Sequence, residues 1–159
     1  TYYDREVLPY KNDDVINAHA MPGAHAALQA VQDTGLRCAL FTNPSFPQGA
    51  IECRMGWGDL ADVPFELVTH MGNTTRCKPD ATYYLEQLQV MGLEPHEVLM
   101  VGNDPKRDFP SPACGIQTAY VGQGKPSRAT WRGTMEDFAR NFNAVIEAFY
   151  EHQVADELS

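Results

Sequence analysis

Val98-Leu99-Met100-Val101-Gly102-Asn103-Asp104-Pro105-Lys106-Arg107-Asp108 is an apolar run that stops at a glycine and then delivers two carboxylates four residues apart. A strand buried in a parallel sheet reads as a continuous apolar run, and open α/β sheets bind ligands just beyond the carboxyl ends of their strands. Asp104 and Asp108 are therefore candidate hard oxygen ligands for magnesium. The plain alternative is that an aspartate after a strand only caps the next helix.

Two segments upstream extend the pattern. Cys38-Ala39-Leu40-Phe41-Thr42-Asn43 is a second apolar strand, ending in a hydroxyl and an amide where a loop begins. Cys77-Lys78-Pro79-Asp80 places a lysine before a proline at a helix start, where proline is tolerated because its missing N–H would be unpaired anyway. Lys78 then sits at the mouth of the sheet. The plain reading is a surface lysine, at a helix end where the dipole mildly disfavours a cation.

Between these segments helices and strands alternate. Pro22 and Gly23 open a helix with Ala24, Ala27, Leu28 and Val31 apolar, closed by Gly35. A strand over 36–41, a helix over 48–60 and a short strand over 65–68 come next. Residues 80–91 read as a helix with Tyr84, Leu85, Leu88 and Met91 on one face, ended by Gly92. The spacing then predicts strands over 98–101 and 116–121, a helix-like stretch over 107–114 and a loop over 122–133. A last helix over 135–150 carries Phe138, Phe142, Val145, Ile146 and Phe149 at helical spacing, a stripe that fits a core. The alternation implies an α/β fold, a Rossmann-like parallel sheet with helices on both faces.

Strand-Thr, later Lys-Pro-helix, later strand-Gly-Asn-Asp-x-x-x-Asp resembles the second, third and fourth motifs of the haloacid dehalogenase-like (HAD) hydrolase superfamily. The resemblance runs from about Pro22 to Gly122, and the run 41–47, with Arg54 and Trp57 after it, resembles a phosphatase-type branch. It implies a catalytic role for Thr42 and Lys78, substrate phosphate held by Thr42, Asn43 and Lys78, and Mg2+ held by Asn103, Asp104 and Asp108. The family has an acid directly after the glycine; here Asn103 stands there and Asp104 comes next, so both are candidates. The implied activity is a magnesium-dependent phosphatase of a small phosphorylated metabolite.

The superfamily's first motif, an apolar strand followed by Asp-x-Asp, has no counterpart here. Asp13-Asp14 comes after Lys11 and Asn12 rather than a strand and reads as a solvated acidic turn. In the family the first of those aspartates attacks phosphorus, and its strand lies at the centre of the sheet. The resemblance therefore implies that residues 1–21 are a cap-domain tail with Tyr2, Tyr3, Val7 and Leu8 as apolar contacts, 22–150 the core domain and 151–159 a frayed tail. The first central strand is then missing and comes from an upstream segment or a second copy. Rival readings are a catalytically inactive scaffold or interaction module, and a 2-haloacid dehalogenase, which needs no metal and leaves the paired acids unexplained.

The 159 residues suit one domain of useful core size, and a net charge of −9 argues against nucleic acid or an anionic membrane as partner. The four cysteines show no Cys-x-x-C spacing and read as reduced, packed thiols of a cytoplasmic protein. The five histidines have no convincing partners in sequence, His70 being a loop residue. No apolar stretch approaches the ~18 residues of a membrane span.

Overall fold

Apolar positions three and four apart wind up as α1 (Ala24–Asp33), entered through Gly23 at a φ of +83° and left through Gly35 at +70°. The apolar run after it contributes only two residues to a strand, β1 (Ala39–Leu40), while Leu36 is 37% exposed. Then come α2 (Gln48–Trp57) and β2 (Leu67–Val68), which pairs parallel to β1 with Ala39 opposite Leu67. This computed structural model describes residues 2–12, 17–126 and 128–157, and the chain divides into two units, Thr1–Thr75 and Arg76–Ser159. Asp13 and Asp14 lie outside the described residues.

The start of the first unit differs from expectation. A wide π-helical turn, Tyr3–Val7, runs into a 3-10 turn, Leu8–Lys11, and packs against α2. Tyr2 and Tyr3 are 77% and 53% exposed, so they are not the apolar contacts the sequence suggests; Val7 and Leu8 are half-buried. Asp4 takes the inward position instead, close enough to Gly49 that a Cβ there would meet the Asp4 Cβ at 3.4 Å.

In the second unit, Asp80 starts α3 (Ala81–Met91) by accepting the Thr82 N–H at 2.8 Å, and Gly92 ends it at a φ of +67°. Its inward stripe is Tyr83, Tyr84, Gln87 and Leu88, and Leu85 faces out. Tyr84 and Leu88 of the expected face are buried, Leu85 is not, and Tyr83 and Gln87 join them, Tyr83 packing edge-on to Tyr84 with ring centroids 5.1 Å apart. β3 (Leu99–Gly102) pairs parallel to β4 (Gln117–Val121), which pairs parallel to β5 (Trp131–Gly133). β5 lies in the stretch expected to be a loop; three residues among glycines and charges leave no run to detect.

The stretch 107–114 is not a helix. Pro110 and Pro112 withhold amide protons and clash with the preceding turn, so only a 3-10 turn, Pro112–Cys114, forms. The final helix is two: α4 (Met135–Arg140) and α5 (Phe142–Glu157). Asn141 lies between them at φ −105° and ψ +19°, and both its backbone N–H and its side-chain amide donate to the Asp137 carbonyl, at 2.9 and 2.8 Å. α5 also carries the helix through residues expected to be a frayed tail. Phe138, Phe142, Val145 and Phe149 are buried, so the aromatic stripe is core.

The fold is α/β with parallel sheets, as the alternation implies. Yet β1 and β3 are each an edge of their own sheet. Leu99, Met100 and Val101 are only half-buried, while Thr118 to Val121 of β4 are buried. An apolar edge strand with no proline, charge or bulge invites another strand to pair with it. Among the described residues no helix is long and apolar enough to cross a membrane.

Candidate functional site

The glycine that ends β3 turns the chain into a single tight loop. Asp108 N–H donates to the Asp104 carbonyl at 2.7 Å, bringing the second carboxylate back under the strand end. There its Oδ2 accepts the backbone N–H groups of Asn103 and Asp104 at 3.1 and 3.0 Å. Its Oδ1 accepts from Lys78 Nζ at 2.6 Å, and the two side chains are only 10% (Lys78) and 14% (Asp108) exposed. Lys78 is therefore not a surface lysine. It is held at the end of β3 by an anion that is itself fixed by two amides.

Tyr84 completes this cluster from α3. Its hydroxyl donates to the Asp108 backbone carbonyl at 2.5 Å, and burial, with the nearby Asp108 charge second, pushes the phenol pKa far up. The phenol stays neutral and remains a donor across the physiological range. Gly102 matters for a steric reason: a Cβ there would lie 2.5 Å from the Asp108 Cβ and 2.9 Å from its Oδ2. Gly102→Ala should displace Asp108 and loosen the ion pair. Overpacking of this kind costs about 1–3 kcal/mol. Denaturant unfolding should show the loss, and an unchanged midpoint would contradict the packing described.

Asp104 does in part what the plain capping alternative requires. Its Oδ1 accepts the N–H groups of Lys106 and Arg107 at 3.0 and 3.2 Å, while Oδ2 lies 3.6 Å from Arg107 Nε. The Asn103 side chain is exposed. Magnesium prefers oxygen ligands and commonly takes one or two carboxylates, with water and substrate phosphate filling the shell. Asp104 and Asp108 fit that partial role, since a carboxylate has more acceptor sites than these bonds occupy. Among the described residues no three His, Cys, Asp or Glu side chains come close enough to hold a metal by themselves.

Thr42 belongs to the first unit and is clasped by Thr69. Its backbone N–H donates to Thr69 Oγ1 at 2.7 Å, and its hydroxyl donates to the Thr69 carbonyl at 2.7 Å. Thr69 is fully buried, and no motif in the sequence singles it out. Asn43 is exposed, with its carbonyl accepting Ser45 N–H at 2.7 Å. Nearby, the Arg54 guanidinium lies over the Phe46 ring at 5.2 Å. His70 is a loop residue whose Nδ1 accepts Gly72 N–H. All four cysteines are free; Cys38, Cys53 and Cys114 are half-buried, and Cys77 is exposed rather than packed.

A model of the haloacid dehalogenase-like hydrolases matches residues 2–114, most of the chain. The chain belongs to the haloacid dehalogenase-like hydrolase family. A phosphoglycolate phosphatase from Rhodospirillum rubrum is 30% identical over 121 residues, covering 76% of this chain and 48% of that protein. Among solved structures, β-phosphoglucomutase from Clostridium difficile matches with a TM-score of 0.67 at 16% identity, over 84% of this chain and 58% of that one. A HAD family hydrolase from Deinococcus radiodurans R1, solved with bound phosphate and sodium, matches at 0.64 with 20% identity, over 82% of this chain and 60% of that one. At such identities the structural likeness shows the fold alone. The chain spans about half the length of the curated relative it matches.

Two residues that hold the candidate site together carry no motif signal in the sequence. Tyr84 reads in sequence as one member of an apolar stripe, although a tyrosine on a buried face needs a partner for its hydroxyl. Thr69 lies 27 residues from Thr42, beyond any local signal.

Proposed function

We propose that the chain provides the phosphate-neutralising and metal-ligand side of a magnesium-dependent phosphatase acting on a small phosphorylated metabolite. The observation that supports this best is the nearly buried Lys78–Asp108 pair under the end of β3. A lysine so placed is a fixed point charge beside the strand end, where open α/β folds bind ligands. Phosphoryl transfer needs mainly positioning and charge stabilisation, because the transferring group spreads its charge over three oxygens.

The nucleophile in this reading is an aspartate on a strand that pairs with the open edge of β3, on an upstream segment or a second molecule. Its carboxylate oxygen bonds to phosphorus while the ester P–O bond breaks, and a second aspartate two residues on protonates the departing oxygen. Water then attacks the aspartyl-phosphate, giving up a proton to that same aspartate and releasing inorganic phosphate. Lys78 holds the phosphate and the attacking carboxylate. Thr42 donates its hydroxyl to a phosphate oxygen after turning from the Thr69 carbonyl, and the amides near Asn43 add donors. Bound Mg2+ would supply Lewis-acid charge stabilisation, with Asp104, Asp108 and the amide oxygen of Asn103 as its candidate ligands. The four free cysteines suit a reducing compartment such as the cytoplasm.

With the nucleophile strand supplied, p-nitrophenyl phosphate should be hydrolysed only with magnesium. Asp104→Asn should raise the magnesium concentration needed for half-maximal rate on the order of 10–100-fold, the range seen when a metal site loses a supporting group. Turnover that ignores magnesium in the parent protein would sink the assignment.

A further inference from the structure

Asp108, Phe109 and Pro110 end the loop that carries the site, and within the second unit each is anchored separately. The Asp108 carbonyl accepts the Tyr84 hydroxyl from α3 at 2.5 Å. The Phe109 ring is buried in a cluster with Tyr120 and Ala129, against which Met100 of β3 packs. The Pro110 carbonyl accepts from Arg128 Nη2. Proline stiffens the stretch further, because it fixes its own φ and pushes the residue before it toward extended backbone. Asp108 is thus joined to a segment with little freedom.

No motif marks Arg128, which comes from the loop after β4 and is exposed. The backbone it springs from is nevertheless held. Thr118 Oγ1 donates to the Arg128 carbonyl at 2.8 Å, Thr130 returns two bonds to the Thr118 carbonyl at 2.9 and 2.8 Å, and Ala129 between them is buried. Thr118 lies on β4 opposite Met100 of β3, so the Arg128 bond ties the Asp108 segment to the sheet. Arg128 also lies close enough to Tyr84 for its charge to oppose the upward push that burial gives the phenol. The two donors therefore hold the segment from one region.

Both bonds go to main-chain carbonyls. Tyr84 and Arg128 act on the carboxylate through the chain that carries it, whereas Lys78 and the amides of Asn103 and Asp104 meet the carboxylate itself. That difference has a chemical consequence, since a shift of about 1 Å in a positioned group can cost on the order of a hundredfold in rate. The plain alternative is that Arg128 only staples a surface loop. A staple would change stability and leave the carboxylate where it is.

We propose that Arg128 is a positioning residue: with Tyr84 it clamps the Asp108–Pro110 backbone and so fixes the Asp108 carboxylate under the end of β3 as a ligand for magnesium. This rests on the magnesium-dependent phosphatase reading of the Lys78–Asp108 pair.

Amide NMR of residues 1–159 tests it with Arg128→Met and Tyr84→Phe. The N–H groups of Asn103 and Asp104 report on the carboxylate because they donate to its Oδ2. In Arg128→Met their hydrogen exchange should quicken about tenfold, the scale for weakening one hydrogen bond to a charged group, while Ala119 and Val121 of β4 keep their parent rates. Mn2+ is the metal probe, and the concentration that half-broadens the Asn103 and Asp104 signals should also rise about tenfold. Both effects should persist in about 0.5 M NaCl, which screens a charge acting at a distance. Tyr84→Phe removes the other bond at nearly constant volume and should move the same two amides in the same direction. Unchanged exchange at those amides, quickening shared equally by β4, a loss erased by salt, or faster exchange with an unchanged Mn2+ midpoint would each overturn the positioning role alone. Parent signals at Asn103 and Asp104 that ignore Mn2+ altogether would sink the metal reading itself, and the positioning role with it.

Discussion

Lys78→Met should destabilise this protein by about 3–5 kcal/mol, the range for removing one partner of a buried ion pair. The Asp108 carboxylate would remain 14% exposed with its charge unpaired. Methionine fills much of the lysine stem's volume, so the loss is electrostatic rather than a cavity. The amides of Asn103 and Asp104 still solvate Oδ2 and bring the effect toward the lower end of the range. Lys78→Met with Asp108→Leu removes both charges and should recover a good part of the loss. Denaturant unfolding would show a lower midpoint with an unchanged slope for the single variant. A change under about 0.5 kcal/mol, as for a surface pair, would mean that the pair is not buried in solution. Phosphate binding should fail in both variants.

Legibility in the sequence tracks the range of each interaction. The limits of α3 are legible because Asp80 and Gly92 act on their own neighbours. Lys78 and Asp108 each stand out by type and place, since a cation at a helix start and an acid past a strand end are locally odd. Their direct contact is not legible, as it spans 30 residues. The clasp of Thr42 by Thr69 and the bond from Tyr84 to the Asp108 carbonyl are hidden for the same reason. Two departures are local. Pro110 and Pro112 override the helical reading of 107–114, and the non-helical backbone of Asn141, at φ −105° and ψ +19°, divides the last helix.

The largest expected effect concerns β3. Its apolar residues are half-buried, and among the described residues β4 is its one hydrogen-bonded neighbour strand. A strand entering that edge would satisfy backbone groups that otherwise depend on water and, in the proposed mechanism, would bring the aspartate facing Lys78. Enzymes gain at least about a millionfold over the uncatalysed reaction, and nearly all of that is lost where the attacking group is absent. The direct measurement is magnesium-dependent hydrolysis of p-nitrophenyl phosphate by purified residues 1–159, alone and with added polypeptide carrying an apolar strand that ends in Asp-x-Asp. For the chain alone, the account predicts no turnover above buffer. With the added strand it predicts measurable turnover, together with slower hydrogen exchange at the amides of Leu99 to Val101. Robust magnesium-dependent turnover by residues 1–159 alone would contradict it.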